Sequence, residues 1–191
     1  TVTPDGTVWM HGSGAAVTDE PLWFLDGTTF TSATVNADVN GEFDTCSGIV
    51  QQGNTYYAIS RDSSLNAGGF RKWMVQSTDK TTWAYSHTAA ANEDNGADVE
   101  LYFLQLVGKT FYTVARVANT SISIYYRTTV NAAFSEVSAV ADETAGSTPR
   151  GLVAFSDSVG VEDLFLGTYL GLYHFDISAS GPEDIGYDAT N

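Results

Sequence analysis

The sequence has a single cysteine, few basic residues and no sustained helical pattern. Cys46 has no second cysteine to pair with, which excludes an internal disulfide and a zinc site built from cysteines. Only 8 residues are Lys or Arg against 23 Asp or Glu, so the formal net charge is −15. Such a surface repels phosphate groups, which argues against a nucleic-acid partner and against anionic membranes. No apolar run is long enough to span a bilayer.

The residues that are abundant favour short strands and tight turns. The 191 residues suffice for one sizeable core, 43% of them are apolar, 13% are aromatic, and there are 18 glycines. No segment shows apolar residues repeating at spacings of three and four, as an amphipathic helix would. We therefore predict an all-β fold.

The most informative stretch runs from Val75 to Trp83, V-Q-S-T-D-K-T-T-W, where a β-branched strand ends in a polar turn and an aromatic residue follows. Ser77 and Asp79 can accept hydrogen bonds from amides of their own turn. Related turns occur 53 residues upstream and 51 residues downstream, ending at Phe30 and Phe134. A period near 50 residues indicates repeated four-stranded units.

These turns resemble the Asp-box of sialidase-type β-propellers, S/T-x-D-x-G-x-T-W/F. The residues that carry the resemblance are Asp26, Gly27 and Phe30 in the first copy and Ser77, Asp79 and Trp83 in the second. Lys80 replaces the glycine in the second copy, and Val130 replaces the aspartate in the third. The resemblance implies propeller blades, in which the box is structural and carries no activity. It also implies that Trp83 is buried within its hairpin.

The predicted architecture is a series of β-propeller blades: four consecutive four-stranded antiparallel sheets, of which the first and last are incomplete. The units span about 1–37, 38–91, 92–141 and 142–191. Residues 30–35 are expected to form one strand, the first unit lacks an inner strand, and Ile185–Tyr187 is a candidate for the outer strand of the fourth. Aromatic residues recur in the third strand of each unit, at Trp23, Trp73, Tyr125 and Tyr173. The chain is thus expected to be a slice of a ring, the alternative being a small closed propeller.

Acidic segments follow the first and second units. Loops rich in oxygen ligands can bind calcium, although solvated turns have the same composition. The candidate ligands are Asp38, Asn40, Glu42, Asp44, Asp94 and Asp98. No other cofactor is expected.

No catalytic group emerges from the sequence. The resemblance implies that sialidase activity would need three arginines to hold the substrate carboxylate, and the family's arginine motif near the first blade is absent. The chain is therefore expected not to be an enzyme but a structural or binding module of a larger assembly. Its low lysine content and Thr/Ala/Gly richness resemble propeller segments of phage virion and tail proteins. The alternative is an extracellular carbohydrate-binding propeller or a fragment of a glycosidase, so the expected location is a virion or the extracellular space.

An isolated slice would expose two sheet faces, on which we expect Trp9, Trp23, Phe165 and Tyr173. Large exposed apolar patches and unpaired strand edges both favour association. We expect the slice to be completed by other protein subunits, giving an oligomer, or by the rest of its own polypeptide, giving a covalent ring. Surface glycans are the expected ligands of the alternative function.

Overall fold

A computed structural model shows that the described part of the chain consists of strands and their connections. It describes residues 1–11, 22–35, 48–62, 71–86, 99–117, 121–130, 132, 134–139, 149–156, 162–168, 171–177 and 183–184. These ranges contain 16 strands and no helix, hence no helix able to cross a membrane. The chain divides into two compact units, Thr1–Ala97 and Asp98–Asn191. From here on, 'unit' means one of these two parts of the chain and no longer one of the four sequence repeats.

The first unit contains two sheets. Its strands are β1 Val8–His11, β2 Leu22–Asp26, β3 Thr29–Ser32, β4 Thr34–Val35, β5 Ile49–Gln52, β6 Thr55–Asp62, β7 Arg71–Ser77 and β8 Thr82–Tyr85. The first sheet has the order β1-β2-β3, and the second has the order β4-β8-β7-β6-β5. Neighbouring strands are antiparallel except β4, which pairs with β8 in parallel.

The second unit also contains two sheets, both antiparallel. Its strands are β9 Val99–Val107, β10 Thr110–Val117, β11 Ser121–Arg127, β12 Ser135–Ala139, β13 Gly151–Ser156, β14 Glu162–Gly167, β15 Leu172–Asp176 and β16 Glu183–Asp184. The third sheet has the order β12-β11-β10-β9, and the fourth has the order β13-β14-β15-β16. The all-β prediction is confirmed, including an incomplete first sheet of three strands and a last strand of only two residues.

Two strand predictions need correction. Residues 30–35 form two strands rather than one: β3 completes the first sheet, whereas β4 leaves it and joins the edge of the second sheet. Ala33, between them, is buried, and its amide bonds to the Leu22 carbonyl. The structure places an outer strand of the fourth sheet at Glu183–Asp184, directly before the segment 185–187 named from the sequence, which itself lies outside the described residues.

Three hairpins close with two-residue loops that begin with glycine. Gly27, Gly53 and Gly108 have φ between 59° and 61°, and each follows the last residue of a strand. A positive φ at the first central position is what a tight hairpin loop of type II′ requires, and glycine adopts it without steric penalty. These glycines therefore fix the loop length and with it the register of the flanking strands.

Each unit has its own apolar core between its two sheets. In the first unit the core contains Trp9, Leu22 and Phe24 of the first sheet against Tyr56, Val75 and Trp83 of the second. In the second unit, residues of β10 and β11 pack with Leu152, Leu164, Leu166 and Phe175 of the fourth sheet. The alternation of buried and exposed residues along β2 is that of a half-buried strand.

Candidate functional site

The calcium ligands suggested by the sequence lie outside the described residues. This holds for all six: Asp38, Asn40, Glu42, Asp44, Asp94 and Asp98. Within the described ranges, no group of three or more His, Cys, Asp or Glu side chains is placed to hold a metal ion. Calcium binding therefore remains a prediction from sequence.

The turn at Ser77–Trp83 is organised around the Asp79 carboxylate. Its Oδ1 accepts hydrogen bonds from the amides of Thr81 and Thr82, at 2.9 and 2.6 Å, and from the Ser77 hydroxyl at 3.1 Å. Trp83, whose burial the sequence predicts, has no exposed surface, and its Nε1 donates to the Lys80 carbonyl at 3.0 Å. The carboxylate thus closes the turn and the indole anchors it in the core.

A second turn of the same kind lies at Thr3–Trp9, a segment that was not recognised from the sequence as a copy of the box. The Asp5 carboxylate accepts bonds from the Thr3 hydroxyl at 2.7 Å and from the Thr7 amide at 3.1 Å. The Trp9 Nε1 donates to the Thr3 hydroxyl at 3.1 Å, and Gly6 has φ 84° where Lys80 has φ 69°. The sequence does contain a signal for this turn. Equivalent residues stand at positions 1, 3 and 7 of the two segments T-P-D-G-T-V-W (3–9) and S-T-D-K-T-T-W (77–83).

The copy at Asp26 has a different geometry. Asp26 lies opposite Thr29 in a two-residue hairpin, and the Phe30 side chain is exposed rather than buried. The two-residue loop begun by Gly27 is too short for the longer Asp79-type turn. Asp26, Gly27 and Phe30 therefore do not reproduce the arrangement of Ser77, Asp79 and Trp83.

The downstream copy has Val130 at the position of the central carboxylate, and a buried arginine, Arg127, packs against its aromatic residue. Phe134 is buried as Trp83 is, and the Arg127 guanidinium lies 4.7 Å from its ring centroid and 5.7 Å from that of Phe111. Arg127 also donates to the Ala132 carbonyl at 3.4 Å. Cation–π contacts with two rings help to hold this cation inside the second unit.

The two Asp-centred turns meet in one polar cluster formed by Asp5, Tyr56 and Lys80. The Tyr56 hydroxyl donates to Asp5 Oδ2 at 2.5 Å, and the Lys80 ammonium lies 3.2 Å from the same oxygen. Lys80 also lies over the Tyr56 ring, 5.6 Å from its centroid. The Asp5 amide donates to the Gln51 side chain at 3.1 Å, so the N-terminal turn is tied to β5 and β6.

The electrostatics of this cluster keep Asp5 ionised. Burial raises the pKa of Asp5, but hydrogen bonds from Tyr56, Thr3 and Thr7 outweigh burial and hold that pKa well below its usual range. Burial, together with the Asp5 carboxylate, raises the pKa of Tyr56. Burial lowers the pKa of Lys80, but Asp5 and Tyr56 reverse this and raise it. Asp5 is therefore ionised, and both of its carboxylate oxygens already accept hydrogen bonds. This arrangement fits a residue that holds two turns together and not one that transfers protons.

Lys80 occupies a left-handed backbone conformation that glycine would adopt more easily. We expect Lys80→Gly to be more stable than Lys80→Ala by about 1 kcal/mol, because both lose the contact with Asp5 but only alanine keeps the strain. Against the wild type, Lys80→Gly should change stability by less than about 1 kcal/mol, because the relief of strain offsets the loss of an ion pair that is partly exposed to solvent. Urea unfolding of the three proteins measures both differences. Equal stability of the glycine and alanine variants would contradict the assignment of strain.

One further titratable pair lies on the fourth sheet. His174 Nε2 and Asp163 Oδ1 are 2.7 Å apart, and the imidazole stacks on Phe165 with ring centroids 4.6 Å apart and planes 8° from parallel. The sequence analysis made no use of this pair because Asp163 and His174 are 11 residues apart. They become cross-strand neighbours only through the pairing of β14 with β15.

Comparison with solved structures identifies the architecture. An exo-β-1,3-galactanase from Clostridium thermocellum matches 94% of this chain at 10% identity, with a TM-score of 0.50. An exo-β-1,3-galactanase from Phanerochaete chrysosporium, solved with β-1,3-galactotriose, matches 93% at 15% identity, also with a TM-score of 0.50. The fold is that of a β-propeller. This confirms the propeller blades expected from the sequence.

The propeller of this chain covers only part of these larger proteins. It spans 40% and 41% of the two galactanase chains, and 53% of an exo-β-1,3-galactanase from Bifidobacterium bifidum that it matches over 75% of its own length at 15% identity, with a TM-score of 0.47. No family model and no curated protein matches the sequence.

The comparisons correct the expectation that the chain is not an enzyme. The two solved structures that share its fold over most of its length are those of glycosidases, so this fold occurs in enzymes and the expectation does not stand. Neither of these structures is that of a virion protein, so the comparison lends no support to the virion module expected from the sequence. The prediction of no enzymatic activity relied on the absence of the sialidase arginine triad, and that triad is expected only in one kind of propeller glycosidase.

Proposed function

We propose that this chain is part of a carbohydrate-active β-propeller related in architecture to the glycosidases that act on β-1,3-linked galactan. The observation that carries the proposal is the propeller fold shared with two exo-β-1,3-galactanases over 93–94% of the chain. An extracellular location follows from the same proposal, since polysaccharides of this kind lie outside the cell.

The charge of the chain agrees with a neutral polymer as ligand. A net charge of −15 repels nucleic acids and polyanionic polysaccharides but has no such effect on an uncharged galactan. Hydrolysis by a propeller of this type would require a pair of carboxyl groups flanking the scissile bond. Asp5 and Asp79 are committed to their turns, so these two carboxylates are not the pair we propose.

The test is affinity electrophoresis of the full 191-residue chain in native gels that contain a soluble polysaccharide. We expect retardation in β-1,3-galactan, and unchanged mobility in gels with no polysaccharide or with an α-linked glucan. Release of reducing sugar from the same galactan, measured in parallel, reports hydrolysis. Unchanged mobility in β-1,3-galactan, together with no release of reducing sugar from it, would overturn the proposal.

A further inference from the structure

Phe103 has a backbone conformation that a bulky residue rarely adopts. Its φ is 54°, and among the described residues only Lys80 and Phe103 have a positive φ without being glycine. Lys80 stands at the glycine position of the Asp79 turn, whereas Phe103 lies inside the strand β9. An aromatic residue in the left-handed region is a steric outlier, and strain of this kind concentrates at functional sites, where the surrounding fold holds it in place.

The strained residue forms a β-bulge. On β10, Thr113 is paired with Leu104. The next residue, Val114, is paired with Tyr102, so Phe103 is the extra residue of the bulge. The Thr113 hydroxyl donates a hydrogen bond to the Tyr102 carbonyl at 3.0 Å, and Thr113 itself has no exposed surface. The bulge is therefore tied to a buried position of the neighbouring strand.

The bulge places two neighbouring aromatic side chains on the same side of the third sheet. In a regular strand, residues 102 and 103 would point to opposite faces. Here Tyr102 and Phe103 both pack against the core that this sheet shares with the fourth sheet, and their ring centroids are 6.4 Å apart. A glycine at position 103 would form the bulge without strain but would present no ring. The strained conformation is thus tied to the presence of the Phe103 side chain.

The two rings lie at the inner edge of the second unit and are not fully enclosed by its core. Tyr102 and Phe103 are half-buried, whereas Leu104 in the same strand has no exposed surface. β9 is the edge strand of the third sheet and lies beside β13, the edge strand of the fourth, where the Gln105 side-chain amide donates to the Leu152 carbonyl at 2.8 Å. Propeller blades converge around a central channel, so the edge strands that approach each other are the inner ones.

The chemistry of this edge fits an uncharged sugar ring. One side of a pyranose such as galactose is formed by C–H groups, which pack against the electron-rich face of an aromatic ring. Ligand sites usually combine such aromatic walls with a small number of polar groups, here the Tyr102 hydroxyl and the Gln105 amide. The segment from Leu101 to Val107 contains no charged residue, so it offers no ion partner to a charged ligand.

We propose that Phe103, presented by the bulge beside Tyr102, stacks against a sugar ring of a neutral polysaccharide at the inner edge of the second unit. This inference rests on the proposed function and names a residue that contacts its ligand. The strained backbone then has a role, because it holds the ring in one orientation before the ligand binds. Less side-chain freedom is lost on binding when the contact residue is already ordered.

The exposed apolar side chains elsewhere lie on the outer faces of the first and fourth sheets, the sides turned away from the cores. They include Met10, Trp23, Phe30, Val153, Phe155 and Leu172. Two residues expected on these faces are not there: Trp9 is buried in the core of the first unit, and Tyr173 packs against that of the second. Phe155 lies in the regular pairing of β13 with β14 and is the matched control for Phe103.

The test is affinity electrophoresis of the full 191-residue chain in β-1,3-galactan. Phe103→Leu keeps an apolar side chain but removes the ring, and Phe103→Tyr keeps the ring. We expect the dissociation constant for galactan, or the KM where sugar is released, to rise about tenfold in Phe103→Leu. It should stay within about threefold of the wild-type value in Phe103→Tyr and in Phe155→Ala. Phe103→Gly should also lose affinity, yet unfold at a higher urea concentration than Phe103→Ala, because glycine removes the strain.

The outcomes separate this inference from the proposed function. A wild type that neither binds nor hydrolyses galactan would overturn both. A wild type that binds galactan, together with a Phe103→Leu variant that folds by circular dichroism and binds it equally well, would overturn the stacking role alone. Phe103→Leu and Phe103→Tyr both keep a bulky side chain at the bulge, so their comparison does not depend on the folding of the smaller variants.

Discussion

Replacing Trp83 with alanine is expected to lower the free energy of unfolding by about 3–5 kcal/mol, the range for truncating a buried tryptophan. Trp83 has no exposed surface, and its ring meets that of Trp9 edge-on with centroids 5.7 Å apart. The indole also donates to the Lys80 carbonyl. The substitution therefore removes core volume, an aromatic contact and the hydrogen bond that closes the turn.

Urea unfolding followed by fluorescence and circular dichroism measures this loss. Trp23→Ala is the matched control: it also removes an indole, but from a side chain that is 39% exposed on the outer face of the first sheet. The control should lose much less stability in a monomeric sample. A loss below about 1 kcal/mol for Trp83→Ala would show that the turn does not anchor the core of the first unit, since core truncations rarely cost so little.

Asp5→Ala is expected to destabilise the protein by about 1–3 kcal/mol for each buried donor left without an acceptor. The group most affected is the Tyr56 hydroxyl, because Tyr56 is buried and this hydroxyl donates to Asp5. Removing that hydroxyl in turn, in the double variant Asp5→Ala with Tyr56→Phe, should restore part of the loss. The double-mutant cycle gives the coupling energy between the two residues directly.

Asp5 also gives the protein a defined sensitivity to acid. The pKa values of Asp5 and Asp79 are both depressed in the folded state, that of Asp79 to about 2 by the Thr82 amide and the other donors of its turn. The stability that they contribute is present above their unfolded-state pKa of about 3.9 and is lost as the pH falls through the folded values. The wild type should therefore lose stability between about pH 4 and about pH 2.

Unfolding curves collected across this pH range test the assignment. Asp5→Ala should show a smaller acid-dependent loss than the wild type, because one of the two depressed carboxylates is gone. Parallel acid curves for the wild type and Asp5→Ala would contradict a role for Asp5 in holding the N-terminal turn.

Periodicity in the sequence was enough to predict the class of fold. Strands and tight turns depend on residues that are neighbours along the chain. Alternating apolar residues, and turns that begin with glycine, therefore located most strands to within a few residues. The chain length between repeated turns marked four-stranded units in the same way. The sequence predicted one strand from residue 30 to residue 35, whereas the structure has two, β3 and β4. The chain passes from the first sheet to the second between them because β4 pairs with β8, a contact that no local sequence pattern records.

Residues at equivalent positions of the sequence repeat do not have the same degree of burial in the structure. Trp23 and Tyr125 are equivalent in the repeat, yet Trp23 is exposed on an outer face and Tyr125 is buried. The difference depends on whether another sheet covers that face. The same limitation applied to Asp26 and Asp79, whose similar sequences close a two-residue hairpin in one case and a longer turn in the other.

The sequence by itself determined the all-β class, the repeat and the acidic surface, because composition, alternation and turn residues act over a few neighbours. The tertiary structure alone decided that Asp5, Tyr56 and Lys80 meet, although up to 75 residues separate them along the chain. It also decided which apolar faces remain uncovered. Both depend on the packing of whole sheets against one another, and a linear pattern specifies which residues are apolar without specifying what lies opposite them.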